Sequence, residues 1–237
     1  MEPIRNAVED FRTGLAGLPG IDYEAAMIHR AEERNRQEKV ERANIPLRYQ
    51  GARFENMKTE GCPADIRPIA KAAYRYAQNL KEHVRKGEGL IFSGTAGRMK
   101  TTLACCIAQK AIDAHIGVYF ISMPELLDML VSMSRNRDTM ELRNFETRIR
   151  DISLLILDDF GAEYPSGWVL NKVDAIITNR YNSLKPVIIT TNLLKGEMQE
   201  RYVTRVFDRL RSANRLLTVS GDSLRPNAGE PRKGIGG

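Results

Sequence analysis

Gly94-Thr95-Ala96-Gly97-Arg98-Met99-Lys100-Thr101-Thr102 follows directly on the apolar run Gly89-Leu90-Ile91-Phe92-Ser93. A short strand that feeds a glycine-bearing turn and then a helix leaves unpaired backbone N–H groups aimed at one spot, where the helix dipole also favours an anion. The nonamer from Gly94 to Thr102 therefore reads as a phosphate-binding loop. Lys100 adds a full positive charge, and Thr101 adds a hydroxyl able to ligate Mg2+. One position departs from G-x-x-x-x-G-K-[ST]: Met99 stands where a glycine directly precedes the lysine. Glycine is needed there only if φ is positive or the ligand passes too close for a side chain, and a non-glycine residue held so costs about 1–3 kcal/mol. The expectation is a site retained but weakened in its affinity for nucleotide.

Downstream, Ile152-Ser153-Leu154-Leu155-Ile156-Leu157-Asp158-Asp159-Phe160-Gly161 combines an apolar run with two carboxylates at its end. The run has the character of a strand buried on both faces of a parallel sheet, and its C-terminal end is the edge at which ligands bind in open α/β sheets. Burying either aspartate without a partner is costly, which favours a functional role. Val118-Tyr119-Phe120-Ile121 and Pro186-Val187-Ile188-Ile189-Thr190-Thr191-Asn192 are two further buried strands. Strands near residues 90, 118, 154 and 188 alternate with helical patterns, which predicts an α/β fold with a parallel sheet covered on both faces. The helices are expected over residues 64–86, 103–115, from Ser122-Met123-Pro124-Glu125 through Met133, over 168–184, and as a basic helix over 200–211.

The loop and the aspartate pair both sit at strand ends and converge on one nucleotide. In that arrangement Lys100 neutralises the β- and γ-phosphates of ATP, and Thr101 with Asp158 holds Mg2+, Asp158 directly or through a water. Asp159 takes a proton from the attacking water or orients it. Asn192 is either a second group that orients this water or an ordinary turn former.

Lys and Arg number 36 against 30 Asp and Glu, a net charge of +6 that favours acidic partners without demanding them. No stretch approaches the length of a membrane span, and Glu2, Arg5, Glu9 and Asp10 occupy the place of a signal peptide's apolar centre, so a cytoplasmic protein is expected. Three cysteines, two of them adjacent at Cys105 and Cys106, make neither a disulfide framework nor a zinc site. Residues 1–50 read as a polar helical segment, broken at Gly17-Leu18-Pro19-Gly20-Ile21 and charge-laced from Tyr23 to Arg42. Its sparse apolar positions suit a solvated helix or one that awaits a partner. Residues 51–225 form the main domain, and residues 226–237, rich in Pro, Gly and charge, a disordered tail. Arg135, Arg137, Arg143, Arg148 and Arg150, interspersed with acids, make either an exposed salt-bridged helix or a surface for nucleic-acid phosphates.

From Phe54-Glu55-Asn56 to Ser223-Leu224-Arg225 the chain resembles the AAA+ ATPases of the replicative helicase loader group. These are the DnaC and DnaI proteins and their phage relatives, similar in turn to the transposition helper ATPase IstB. The resemblance rests on Phe92-Ser93-Gly94, Leu157-Asp158-Asp159-Phe160-Gly161-Ala162-Glu163, Ile188-Ile189-Thr190-Thr191-Asn192 and Arg205-Val206-Phe207-Asp208-Arg209-Leu210. It implies a P-loop NTPase fold without a C-terminal lid, with Asn192 as sensor 1. Arg209 would be an arginine finger that acts on a neighbouring subunit, with Arg205 one turn before it. It further implies a ring or open spiral of subunits, an N-terminal segment that grips a replicative DNA helicase, and a core that holds single-stranded DNA. Two alternatives stay open: a transposition helper acting on duplex DNA with a transposase, and a non-hydrolysing adaptor, which Met99 suggests.

Overall fold

The computed structural model describes residues 23–57, 62–135, 139–164 and 166–225; the expected break at residues 17–21, Arg137 and the tail from residue 226 lie outside them. The chain divides into two compact units, the first ending at Glu38 and the second running from Lys39. Helix α1, Tyr23–Arg42, occupies the charge-laced stretch. Within the first unit Met27 and Ile28 are exposed. Within the second, Val40, Ala43 and Ile45 are buried in the main core, although the sequence places them in the N-terminal segment.

Among the described residues five strands form one sheet: β1 Gly89–Gly94, β2 Val118–Ser122, β3 Leu154–Asp158, β4 Val187–Thr191 and β5 Asn214–Val219. Their order is β2-β3-β4-β1-β5, and every neighbouring pair is parallel. The uninterrupted apolar runs follow from burial on both faces. Leu90, Phe92, Leu154, Ile156 and Ile188 face Leu103, Ala104, Ile107 and Ala108 in one layer. On the other face Ile91, Leu155, Leu157 and Ile189 meet Leu126, Phe145, Val173, Ile177 and Leu210. The fifth strand went unread because only Leu217 and Val219 of its residues are buried, as suits a sheet edge.

The helices are α2 Arg67–Gln78, α3 Leu80–Lys86, α4 Lys100–Asp113, α5 Met123–Arg135, α6 Thr139–Asp151, α7 Gly167–Asn182, α8 Lys195–Arg201 and α9 Thr204–Ala213. Two expected helices are thus pairs. The first breaks at Asn79, whose φ of −106° and ψ of 24° leave the helical region. The basic helix breaks at Tyr202 and Val203, both with extended ψ near 145°, so that α8 ends and α9 starts in a new direction.

Register brings the functional ends together. Ser93 pairs with Thr191, and Ser122 with Asp158, so the strands finish at one edge. The chain leaves β1 between β4 and β5, which is the switch point where such sheets open a crevice. At the other edge a buried Arg180 bridges three elements. Its Nη1 donates to the carbonyls of Ile149 at 2.8 Å and Arg150 at 3.1 Å, satisfying the end of α6, and its Nη2 donates to Pro186 O at 2.8 Å, before β4. Burial pulls its pKa down to about 9, with Asp151 opposing. Replacing Arg180 by Ala would orphan these carbonyls, and a loss of about 3 kcal/mol is expected in urea unfolding. The slope of that transition should not change.

Candidate functional site

The phosphate loop has a backbone that its sequence only partly suits. Gly94 leaves β1 at φ +123°, and a Cβ there would lie 1.7 Å from the carbonyl oxygen of Val219, so no side chain fits. Met99, the N-cap of α4, sits at φ 62° and ψ 11°. The position before the lysine therefore does require the left-handed conformation that glycine adopts freely, and methionine holds it at a cost of about 1–2 kcal/mol. Thr95 and Ala96 are exposed at the loop's tip, whereas Arg98 is buried and turned away from it. The Arg98 guanidinium pairs with Asp65 and donates to Asp222 O at 3.0 Å. Leu224 N donates to Gly97 O at 3.1 Å. The segment after β5 thus straps the outer side of the loop.

Lys100 is 7% exposed, and its Nζ donates to Gly94 O at 2.7 Å, Thr95 O at 2.8 Å and Asn192 Oδ1 at 2.8 Å. Burial lowers its pKa from the usual lysine value, against the pull of Asp159 and Asp158. Asp158 ends β3, is 8% exposed, and accepts from Thr101 Oγ1 at 2.9 Å and Thr190 Oγ1 at 2.5 Å, both on Oδ1. Its Oδ2 takes neither hydroxyl. Burial raises the carboxyl above the usual range, and the Thr190 bond works the other way. The 2.9 Å between Thr101 Oγ1 and Asp158 Oδ1 suits adjacent corners of an octahedron with metal–oxygen bonds of about 2.1 Å, so the pair fits Mg2+.

Asp159 is exposed and lies at φ +52°, directly beyond the strand. Its N–H donates to Thr190 Oγ1 at 3.1 Å, and Phe160 N donates to Thr190 O at 2.8 Å. Thr190 thus orders both aspartates, a role the sequence reading missed; the signal was a hydroxyl in an otherwise apolar buried strand. Tyr49 and Arg225 were also missed. Burial raises the Tyr49 phenol, with Asp158 adding to the rise and Arg225 opposing it, and Arg225 acts on Lys100 as well. Tyr49 therefore lies within electrostatic reach of Asp158, and Arg225 within reach of Lys100.

Lys100, Thr101, Asp158, Asp159 and Asn192 come together at the C-terminal edge of the sheet, and Arg209 does not join them. It borders a small hollow with Gly87, Pro186, Val187 and Asn214, where β1, β4 and β5 begin. It lies 3.7 Å from Asp174 Oδ1, and Arg205 also pairs with Asp174. A strand of five residues separates the two edges by about 17 Å. Of the candidate nucleic-acid arginines, Arg135 and Arg143 are exposed. Arg148 instead lies 4.1 Å from the centre of the Tyr119 ring and donates to Arg42 O, and Arg150 pairs with Asp151.

Residues 23–230 match the family described as IstB-like ATP binding protein. The chain is 27% identical over 221 residues to the replicative helicase loader DnaC of Escherichia coli (strain K12), spanning 91% of this chain and 88% of the loader. It is also 27% identical over 192 residues to a putative insertion sequence ATP-binding protein of Sinorhizobium fredii, across 76% of this chain and 74% of that protein. The crystal structure of a DnaC helicase loader matches with a TM-score of 0.64 at 25% identity, covering 73% of this chain and 99% of that one. The fold is that of the P-loop AAA+ proteins, and among the described residues no helix follows β5.

Two outcomes test this geometry. Met99→Gly removes the left-handed strain at the start of α4, so the protein should gain about 1 kcal/mol in chemical unfolding and bind ATP more tightly by calorimetry. For Asp158 the folded pKa lies above the unfolded one. Its contribution to stability is therefore full below about pH 4 and is lost as the pH rises through the raised value. Asp158→Asn should raise the Tm of the nucleotide-free protein at pH 7, leave it nearly unchanged at pH 4, and abolish the further rise given by Mg2+ with ATP.

Proposed function

The chain belongs to the IstB-like ATP binding proteins and is homologous to the DnaC helicase loaders, and from that premise we propose that it is an ATP-dependent loader. It binds a replicative DNA helicase and delivers it to single-stranded DNA during replication, in the cytoplasm. The observation that carries this reading is the separation of Arg209 from its own phosphate loop by the length of the sheet. An arginine so placed serves ATP hydrolysis only when a neighbour brings it to a nucleotide, so activity belongs to a ring or spiral of subunits.

In this reading Lys100 neutralises the β- and γ-phosphates, releasing its bonds to the loop carbonyls as it does so. Thr101 and Asp158 hold Mg2+, which when bound neutralises phosphate charge. Asp159, exposed at the strand's end, accepts a proton from the attacking water or orients it, and Asn192 positions that water. Arg209 of the adjacent subunit stabilises charge in the transition state; such fingers are worth roughly 10³–10⁵ in rate, so the isolated subunit turns over slowly. The N-terminal segment, whose helix leaves Met27 and Ile28 exposed, contacts the helicase.

Single-stranded DNA is held by arginines and aromatic rings together. Arg135 and Arg143 remain for phosphates, and exposed Tyr164 and Trp168 follow the turn that carries Asp159. Lys172 lies 6.0 Å from the Trp168 ring. Exposed rings beside cations accept stacked bases of any sequence. The insertion-sequence relative favours a second reading, a transposition helper that binds duplex DNA and a transposase. A non-hydrolysing adaptor is the third, suggested by strained Met99.

Trp168 is the sole tryptophan, so its fluorescence reports on DNA directly. Single-stranded oligonucleotides should quench it more strongly than duplex, with affinity falling as salt rises. The protein should capture a replicative helicase, and its ATPase rate should climb with protein concentration, helicase and DNA. Arg209→Ala should lose that climb by roughly 10³-fold while the dilute monomer keeps its ATP affinity. Duplex preference without helicase capture would favour the transposition helper, and ATP binding without turnover under every condition would favour the adaptor.

A further inference from the structure

Glu163 takes no part in the phosphate site, yet its side chain is only 2% exposed and both of its oxygens are engaged. Oε2 accepts the N–H of Gly161 at 2.8 Å, and Oε1 accepts the hydroxyl of Tyr202. Arg201 Nε lies 3.8 Å from Oε1, and the Arg201 guanidinium donates to the carbonyl of Glu163. Burial and the Glu163 charge push the Tyr202 phenol far above its usual range, so the hydroxyl remains a donor. A carboxylate removed from water is costly unless its oxygens are satisfied, and an apolar side chain would tie two loops together without that cost.

The two oxygens reach two different parts of the machinery. Gly161 lies two residues beyond Asp159, in a turn where both adopt positive φ, 91° and 52°, and a Cβ at Gly161 would come 2.4 Å from Leu193 Cδ1. The N–H held by Glu163 thus belongs to a turn whose backbone conformation favours glycine. On the other side, Tyr202 is the C-cap of α8, and Val203 is the N-cap of α9, the helix of Arg205 and Arg209. Phe160 packs on Tyr202 with ring centres 4.7 Å apart, giving the same joint an apolar half.

We propose that Glu163 is a positioning residue that makes the Asp159 turn and the arginine helix move as one body. The turn at a subunit's own nucleotide then sets the position of the arginine it offers to its neighbour's nucleotide. This inference rests on the assembly reading above, in which Arg209 acts between subunits. A displacement of about 1 Å in a group that stabilises a transition state can cost a hundredfold in rate, so a joint of this kind is sufficient to gate hydrolysis next door.

Mixed assemblies isolate the effect. Asp159→Asn subunits, which in this scheme bind ATP without turning it over, are combined with Arg209→Ala subunits, which keep a complete phosphate site but offer no finger. Hydrolysis in the mixture measures the finger presented by the Asp159→Asn donor. Adding Glu163→Gln or Tyr202→Phe to the donor should reduce that hydrolysis at least about tenfold, while the donor's ATP affinity and melting temperature stay close to those of Asp159→Asn alone. Should Glu163→Gln melt far below the others, Tyr202→Phe, which removes a single hydroxyl, decides the matter. Equal hydrolysis with all three donors would overturn the coupling. Absence of hydrolysis with the simple Asp159→Asn donor would overturn the finger between subunits itself, and the coupling with it.

Discussion

A buried ammonium ion cannot be left without acceptors, and the site is built around meeting that demand at Lys100. Its three bonds reach Gly94 at the end of β1, Thr95 in the loop and Asn192 beyond β4, so one side chain joins parts of the chain nearly a hundred residues apart. The arrangement also suits an incoming anion. Donors satisfied by neutral carbonyls, in surroundings that disfavour the charge, are ready to exchange those partners for an anion. Asp158 presents the complementary case. Two hydroxyls on one oxygen hold the carboxylate in place, but burial still raises its pKa, and a cation relieves that cost.

Strain and buried charge occur together at the candidate phosphate site. Met99 and Asp159 both hold positive φ without being glycine, and they stand at the two ends of the phosphate site. Such conformations persist only where surrounding structure over-determines them. Here Thr190 fixes the Asp159 turn from the strand side, and the segment after β5 braces the loop through Arg98 and Gly97. Arg180 and Glu163 extend the pattern to the frame. Each is a buried ion whose hydrogen bonds join elements distant in the sequence.

Much of this was legible in the linear chain. The loop from Gly94 to Thr102, the run ending in Asp158-Asp159 and the strand ending at Thr191 announce themselves because strands buried on both faces need unbroken apolar residues. The polar residues that follow such runs must then sit at the sheet edge. What escaped was whatever lacks that contrast. β5 is a half-exposed edge strand whose short apolar run, Leu216-Leu217, is flanked by Arg215 and Thr218. The break between α8 and α9 carries no proline or glycine, and the contact that marks it, Tyr202 with Glu163, comes from a residue 39 positions away. The arginines of α6 looked alike in sequence, but Arg148 is drawn onto Tyr119 and Arg143 is not.

The sequence by itself determined the parallel sheet, the place of the candidate phosphate loop after β1 and the anomaly at Met99, since these follow from periodicity and from local backbone chemistry. Tertiary structure alone decided the conformation that makes Met99 strained, the distance between Arg209 and the Gly94–Thr102 loop, and the bonds of Glu163 to Gly161 and Tyr202. Those depend on which strand ends lie side by side and on which buried groups must find partners across them. A chain read in one dimension does not contain that information until the sheet order and register are known.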